Sequence, residues 1–285
     1  MADRLSKREG EGRRLKEKPG IFMSFERAII GGTGFYDPHL LEDKDELTVK
    51  TRYGEARLLT GKYKGIPIVF MTRHGTGHNI PPHRINFRAN IAALKELGVT
   101  RVLATTAVGS LRENLPPGRL VIIDQFIDNT KGEVRTFYDG EDGKVVHTDF
   151  TQPYCPQIRE CLAAVMAEKE IAFDDGGTYI TTDGPRYETP AEIKVYSLWG
   201  ADVVGMTNAP EAILAREAGL CYANLSLVTN FAAGISAHPL THEEVVEMMG
   251  QKIGTIREIF LDTLAALPFS RDCQCGVQED FPLGP

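Results

Sequence analysis

The chain has 285 residues, 42% of them hydrophobic, 25% charged and 8% aromatic, an ordinary globular composition that excludes collagen-like, coiled-coil and mainly disordered chains. Its 32 Lys and Arg against 39 Asp and Glu leave a net charge of −7 and a pI of ≈ 5.6, which offers no electrostatic footprint for nucleic acid. No apolar run reaches the ~18 residues of a membrane span, the first twenty residues lack the apolar stretch of a secretory signal, and the cysteines are too few and scattered for a disulfide framework. A soluble cytoplasmic protein with no membrane partner is expected.

Residues 1–22 carry many charges and almost no apolar side chains. Such a segment cannot bury enough surface to offset its ordering entropy, so a flexible N-terminal tail is expected. Residues 23–268 are expected to fold as one domain, and 269–285 to form a C-terminal tail. In chain order, β-branched runs bounded by Gly, Pro or polar clusters predict strands at 28–30, 57–60, 67–71, 101–105, 120–123, 178–181, 202–205 and 223–228. Helical periods predict helices at 86–97, 156–168, 190–198, 210–218 and 242–266. Three of these open with Pro156, Pro190 or Pro210, where a missing N–H costs nothing. In the last, Val245, Met248, Ile253, Ile256, Ile259 and Leu264 roughly keep the 3.6 period, so one face should pack on a sheet. With no repeat and no linker, the pattern reads as a single α/β domain around a largely buried sheet.

Three strand ends carry groups suited to an anion. Ile29-Ile30-Gly31-Gly32-Thr33-Gly34 runs into a glycine-rich turn whose backbone N–H groups and Thr33 hydroxyl can donate. It lacks the third glycine of a dinucleotide fingerprint. Thr72-Arg73-His74-Gly75 follows an apolar strand, and the planar fork of Arg73 suits phosphate, with His74 as a further donor. Thr105-Thr106-Ala107-Val108-Gly109-Ser110 reads as a third loop of hydroxyls and small residues. No Walker lysine is present. His78 and His83 have no carboxylates at ligand spacing, so no metal is expected and the anion is held by the protein alone.

These motifs, with Asn86-Phe87-Arg88-Ala89-Asn90, Phe126-Ile127-Asp128, Phe137-Tyr138-Asp139-Gly140, Gly184-Pro185-Arg186-Tyr187 and Gly205-Met206-Thr207-Asn208-Ala209-Pro210-Glu211, resemble the methylthioadenosine phosphorylase branch of the purine nucleoside phosphorylases. The resemblance runs over roughly residues 27–265. It implies a single-domain phosphorylase-type α/β fold with a central mixed, partly barrel-like sheet flanked by helices. It also implies a homotrimer or a dimer of trimers, no cofactor, and inorganic phosphate as co-substrate. By resemblance, Thr33, Arg73, His74, Thr106, Ala107 and Thr207 bind phosphate, Met206 lies against the ribose, and Arg73, His74 and Asn230 act in catalysis.

Two departures from the adenosine-type pattern bear on the base. Val228-Thr229-Asn230-Phe231-Ala232-Ala233-Gly234 resembles the phosphorylases of inosine and guanosine, which implies base contacts by Asn230, Phe231 and Ala232. An Asn amide can donate to O6 or N7, whereas an ionised Asp only accepts. Glu188 stands where adenosine-type members carry Ser, and a carboxylate accepts from N1–H, which 6-oxopurines have and neutral adenine lacks. Tyr187 can stack on the base. His242 resembles the histidine that meets a 5′-hydroxyl, and His147 one that a neighbouring subunit supplies. The expected activity is phosphorolysis of inosine and guanosine in purine salvage; S-methyl-5′-thioinosine or S-methyl-5′-thioadenosine phosphorolysis is the alternative. A nucleoside hydrolase, a nucleotide-binding oxidoreductase and a non-catalytic binding module are competing classes. Cys273 and Cys275 are expected to be two exposed thiols, against a redox or stabilising role.

Overall fold

The structure, a computed structural model, describes residues 25–32, 35, 41–75, 77, 79–132, 134–141, 143, 145–236 and 241–276, His242 only by its place in a helix. The expected tail 1–22 and the 277–285 part of the C-terminal one lie outside these residues. The elements are β1 (Arg27–Gly31), β2 (Glu42–Thr51), β3 (Gly54–Tyr63), β4 (Ile66–Thr72), α1 (Phe87–Glu96), β5 (Arg101–Ser110), β6 (Leu120–Ile122), β7 (Gln125–Asp128), α2 (Pro156–Glu168), β8 (Phe173–Asp175), β9 (Thr178–Thr181), α3 (Pro190–Leu198), β10 (Val203–Gly205), α4 (Asn208–Glu217), β11 (Cys221–Phe231) and α5 (His242–Ala266). No described helix is long and apolar enough to cross a membrane.

The strands form one mixed sheet in the order β2-β3-β4-β1-β5-β10-β9-β7, with β11 pairing both β5 and β6, and β6 pairing β8. It is the single α/β domain with a mixed sheet flanked by helices that the sequence leads one to expect. Side chains alternate across it. Ala28, Ile30, Val102 and Ala104 face α1 and α4, where Phe87, Ile91, Leu94, Ala212 and Leu214 meet them. Ile29, Leu103, Leu225 and Leu227 face α2 and α5, against Ile158, Leu162, Met166, Ile256, Ile259 and Phe260. Each such large side chain contributes about 1.5–3 kcal/mol on burial.

Three differences from the sequence expectation have physical causes. β2, EDKDELTVKT, is charged and mostly exposed, so it shows no apolar alternation; it lies at a sheet edge, where charge discourages further pairing. β5 runs on to Ser110 rather than ending at Thr105, because β11 pairs with it from Arg101 to Ser110; the stretch read as a loop is strand. α4 starts at Asn208, two residues before Pro210, which the first helical turn tolerates because its N–H groups have no intrahelical partner.

Past α5 the chain is held down. Arg27 Nη2 donates to Leu267 O at 3.0 Å, and Arg101 Nη2 is shared among the carbonyls of Pro268, Phe269 and Ser270 at 2.8–3.0 Å. These arginines head β1 and β5, so the chain from 267 lies across the amino ends of the central strands. Cys275 is only 3% exposed and Cys273 is half-buried. The expectation of two exposed thiols is therefore corrected, by contacts that no local pattern reveals.

Candidate active site

The site begins with a gap in the sheet. One edge of β5 pairs with β1 only as far as Ala104 and is taken up by β10 only from Gly109. Across Thr105–Val108 neither strand covers that edge. Arg73 Nη1 donates to Thr105 O at 3.0 Å, which marks the odd-numbered residues as those whose backbone faces the gap; by strand alternation the N–H of Ala107 faces it too. A cleft of about 660 Å³ opens here, at the carboxyl ends of β1, β4 and β5, where ligands of α/β sheets bind.

On one wall Arg73 is 2% exposed and paired with a buried carboxylate. Its Nε and Nη2 donate to Oε1 and Oε2 of Glu211, each at 2.8 Å, and Tyr222 donates its hydroxyl to Glu211 Oε2 at 2.8 Å. Burial by itself would lower the Arg73 pKa, but the Glu211 carboxylate outweighs it and holds the guanidinium charged. An arginine has five N–H donors, so two remain, one on each terminal nitrogen, for an anion in the cleft. The sequence reading gave the whole fork to the anion; the structure shows three of its donors spent, two on Glu211 and one on Thr105 O. His74 Nδ1 lies 2.9 Å from Ile80 O. A carbonyl only accepts, so Nδ1 carries the proton in this contact.

Thr106 and Thr207 close the same end. The Thr106 hydroxyl sits 2.9 Å from Ser226 Oγ and 3.2 Å from Asn224 Oδ1. Thr207 is the N-cap of α4 but makes no side-chain cap bond, so an anion beside it meets the positive end of that helix. Tyr179, fully buried, lies beneath both threonines, and burial pushes its hydroxyl pKa up. A Cβ at Gly205 would collide with that hydroxyl, which is why this cleft residue has to be glycine.

The opposite wall depends on an irregularity. Pairing of β11 with β5 slips between Val228 and Asn230. This bulge lets the consecutive residues Thr229 and Asn230 both line the cleft. The Thr229 hydroxyl donates to Asn230 Oδ1 at 2.8 Å and Asn230 Nδ2 donates to Phe231 O at 2.9 Å, so the amide is oriented before any ligand arrives. Glu188 accepts from the Thr182 hydroxyl at 2.8 Å; burial raises its pKa, with that hydroxyl acting partly against the shift. Tyr187, Met206 and Ala232 complete this side, and Val245, Val246, Met249 and Ile253 of α5 roof the cleft with apolar side chains.

Of the residues singled out in the sequence, Arg73, His74, Thr106, Ala107, Tyr187, Glu188, Met206, Thr207, Asn230 and Ala232 come together in this one cleft. Phe231 does not line it, because the bulge turns Asn230 inward and leaves Phe231 half-buried beyond. His147 is exposed on a loop and is not a lining residue of its own chain's cleft. Thr33, Gly34 and His78 lie outside the described residues, as does the His242 side chain. Sequence reading missed Glu211 and Tyr179 as partners of the site. Glu211 stood within the quoted Gly205–Glu211 run, but only the fold brings it to Arg73.

Residues 26–265 match the Phosphorylase superfamily. The chain is 59% identical over 248 residues to a probable 6-oxopurine nucleoside phosphorylase of Dictyoglomus turgidum, covering 87% of this chain and 94% of that one. It is 51% identical over 253 residues to the 6-oxopurine nucleoside phosphorylase of Pyrococcus furiosus, covering 87% and 95%. Among solved structures it is similar to the methylthioadenosine phosphorylase of Schistosoma mansoni in complex with adenine, with a TM-score of 0.80, 36% identity, and 84% of this chain and 91% of that chain covered.

Proposed function

The chain belongs to the Phosphorylase superfamily, and on that footing we propose that it cleaves 6-oxopurine nucleosides, inosine and guanosine, with inorganic phosphate to give the free purine and ribose 1-phosphate in purine salvage. The observation that carries this reading is the presence of Asn230 and Glu188 in the same cleft as Arg73, His74, Thr106 and Thr207. The amide donates to O6 or N7 and the carboxylate accepts from N1–H, a pattern that a 6-oxopurine matches and neutral adenine does not.

In this reading phosphate is held by the two remaining N–H groups of Arg73, by His74, by the Thr106 and Thr207 hydroxyls, by the Ala107 amide and by Thr33, with Met206 against the ribose. As the glycosidic bond breaks, the sugar gains positive charge and the purine negative charge. Phosphate stabilises the first and then bonds to the anomeric carbon, and Asn230 donates to the second. Groups already oriented toward charge that develops only in the transition state accelerate the reaction. No step calls for a metal or an organic cofactor. His147 is taken to complete a neighbour's cleft in a homotrimer or dimer of trimers, His242 to meet the 5′-hydroxyl, and the protein to work in the cytoplasm.

The apolar roof of Val245, Val246, Met249 and Ile253 favours a second reading on the sugar side, in which S-methyl-5′-thioinosine is also accepted. Catalytic efficiencies on inosine, guanosine, adenosine, methylthioinosine and methylthioadenosine, with and without phosphate, test both. We expect phosphate-dependent turnover and a preference for inosine over adenosine of up to ~10⁴-fold, because a mismatched base leaves buried polar groups unpaired. Asn230→Asp with Glu188→Ser should move that ratio toward adenosine further than either change alone. A wild type that prefers adenosine overturns the base assignment, and turnover without phosphate overturns phosphorolysis.

A further inference from the structure

Four sulfurs converge at the end of the sheet opposite the cleft. The Sγ atoms of Cys155, Cys221, Cys273 and Cys275 all lie within 4.8 Å of one another, and those of Cys221 and Cys273 are 3.4 Å apart. They arrive from three separate places. Cys155 immediately precedes α2, Cys221 is the first residue of β11, and Cys273 and Cys275 come with a 3-10 turn at Gln274–Gly276. Cys155, Cys221 and Cys275 are buried. A tetrahedral zinc ion with Zn–S bonds of ~2.3 Å spaces its sulfurs roughly 3.8 Å apart, within the spread already present.

We propose that these four cysteines form a structural site for a thiophilic divalent cation, zinc by preference. The ion bonds to four sulfurs, the four thiols release their protons to solvent, and nothing is oxidised or reduced. The resulting four thiolates carry two negative charges more than the ion neutralises, and the surroundings suit that excess. Cys155 occupies the N-cap of α2, where the helix dipole favours an anionic sulfur. Arg271 packs against Gly276 and donates to Gly219 O at 3.3 Å; Lys95 approaches the same glycine beside the Cys275 backbone. The site would tie the chain's last described turn to the starts of α2 and β11, just past the segment that Arg27 of β1 and Arg101 of β5 already hold by its carbonyls. It lies away from the cleft, so its role is to hold the fold rather than to act on substrate.

The test uses the full chain, fully reduced and shown to be folded by circular dichroism. Zinc uptake is measured against a chromogenic chelator, cobalt(II) uptake by absorption, and the melting temperature with and without zinc. About one zinc per chain is expected, with thiolate-to-cobalt charge-transfer bands, tetrahedral d–d bands and a higher melting temperature with metal. Cys275→Ser should lower the bound zinc to under about 0.2 per chain at the same chelator strength. Failure of the folded, reduced wild type to take up either metal overturns the proposal, as does a cobalt spectrum without thiolate bands. The wild-type spectrum decides the matter even where a serine variant does not fold. Oxidised protein whose mass shows two disulfides, and which after reduction still binds no metal, would assign the cluster to covalent cross-linking instead.

Discussion

Arg73 shows how a distant partner sets what a residue can do. Glu211 takes two of its donors and Thr105 a third, so the guanidinium is held charged and in place within the cleft. Arg73→Ala should raise the KM for phosphate by roughly 10–100-fold, the loss of charge-assisted hydrogen bonds worth about 1.5–3 kcal/mol. Because both side chains of the pair are 2% exposed, the change also strands a buried carboxylate, at a cost of about 3–5 kcal/mol in stability. Adding Glu211→Gln separates the two effects. Stability should largely return while phosphate affinity does not, as read by denaturant unfolding and by phosphate saturation; recovery of both would remove Arg73 from the anion site. Glu188 supplies a pH dependence. Burial raises its pKa, and in the proposed contact the ionised form accepts from N1–H more strongly than the acid, so kcat/KM for inosine should fall as pH drops through that raised value. Glu188→Gln should lower the plateau and remove this limb; a limb that survives would belong to another group. The stability sign runs the other way: the folded state binds this proton more tightly than the unfolded chain, so the group's destabilising contribution sets in as pH rises from the ordinary carboxylate value through the raised one.

At the scale of elements, the cleft comes from two departures from regular β pairing. One is the uncovered edge of β5 between its β1 and β10 partners; the other is the bulge in β11 that turns Asn230 inward. Gly109 joins them. A Cβ there would sit 3.1 Å from Asn230 Nδ2, 3.3 Å from Val204 Cγ1 and 3.4 Å from Ala232 Cα, tight enough that a neighbour must move. Val204 and the β11 backbone are held in the sheet, so the Asn230 amide is the group that yields. Gly109→Ala should therefore lower kcat/KM for inosine by about tenfold or more, with a stability loss of about 1–3 kcal/mol, the usual cost of modest overpacking. The phosphate KM should change little, since Arg73 lies on the other wall. Initial-rate kinetics with each substrate varied in turn, together with thermal melts, give the answer; an unchanged inosine efficiency would show that the amide does not need its present position.

Across the whole molecule, the two ends of the central strands do different work. The carboxyl ends of β1, β4 and β5 open the cleft, and α5 spans the two regions. Its first turns contribute Val245, Met249 and Ile253 to the cleft, while Ile256, Ile259, Phe260 and Leu264 are buried on the sheet. The amino ends of β1 and β5 carry Arg27 and Arg101, which gather the chain after α5 and bring Cys273 and Cys275 to Cys155 and Cys221. The candidate site and the closure of the fold thus lie at opposite poles of one sheet.

The sequence by itself determined the elements whose side-chain periodicity is set by burial. α2, α3 and α5 begin and end where their apolar periods and N-terminal signals put them, and β9 lies at 178–181 as its β-branched run requires. The donors of Arg73, His74, Thr106 and Thr207, and the contrast of Asn230 and Glu188 with the adenosine-type pattern, were legible because they stand in short contiguous motifs. Charged β2 was not, since an exposed edge strand has no buried face to impose alternation. Nor was the extension of β5 through Thr105–Ser110, which depends on a parallel partner, β11, more than a hundred residues away. The tertiary structure alone decided that Glu211 fixes Arg73, that a bulge aims Asn230, and that four scattered cysteines meet. Each of these depends on long-range pairing, which leaves no periodic trace in the local sequence.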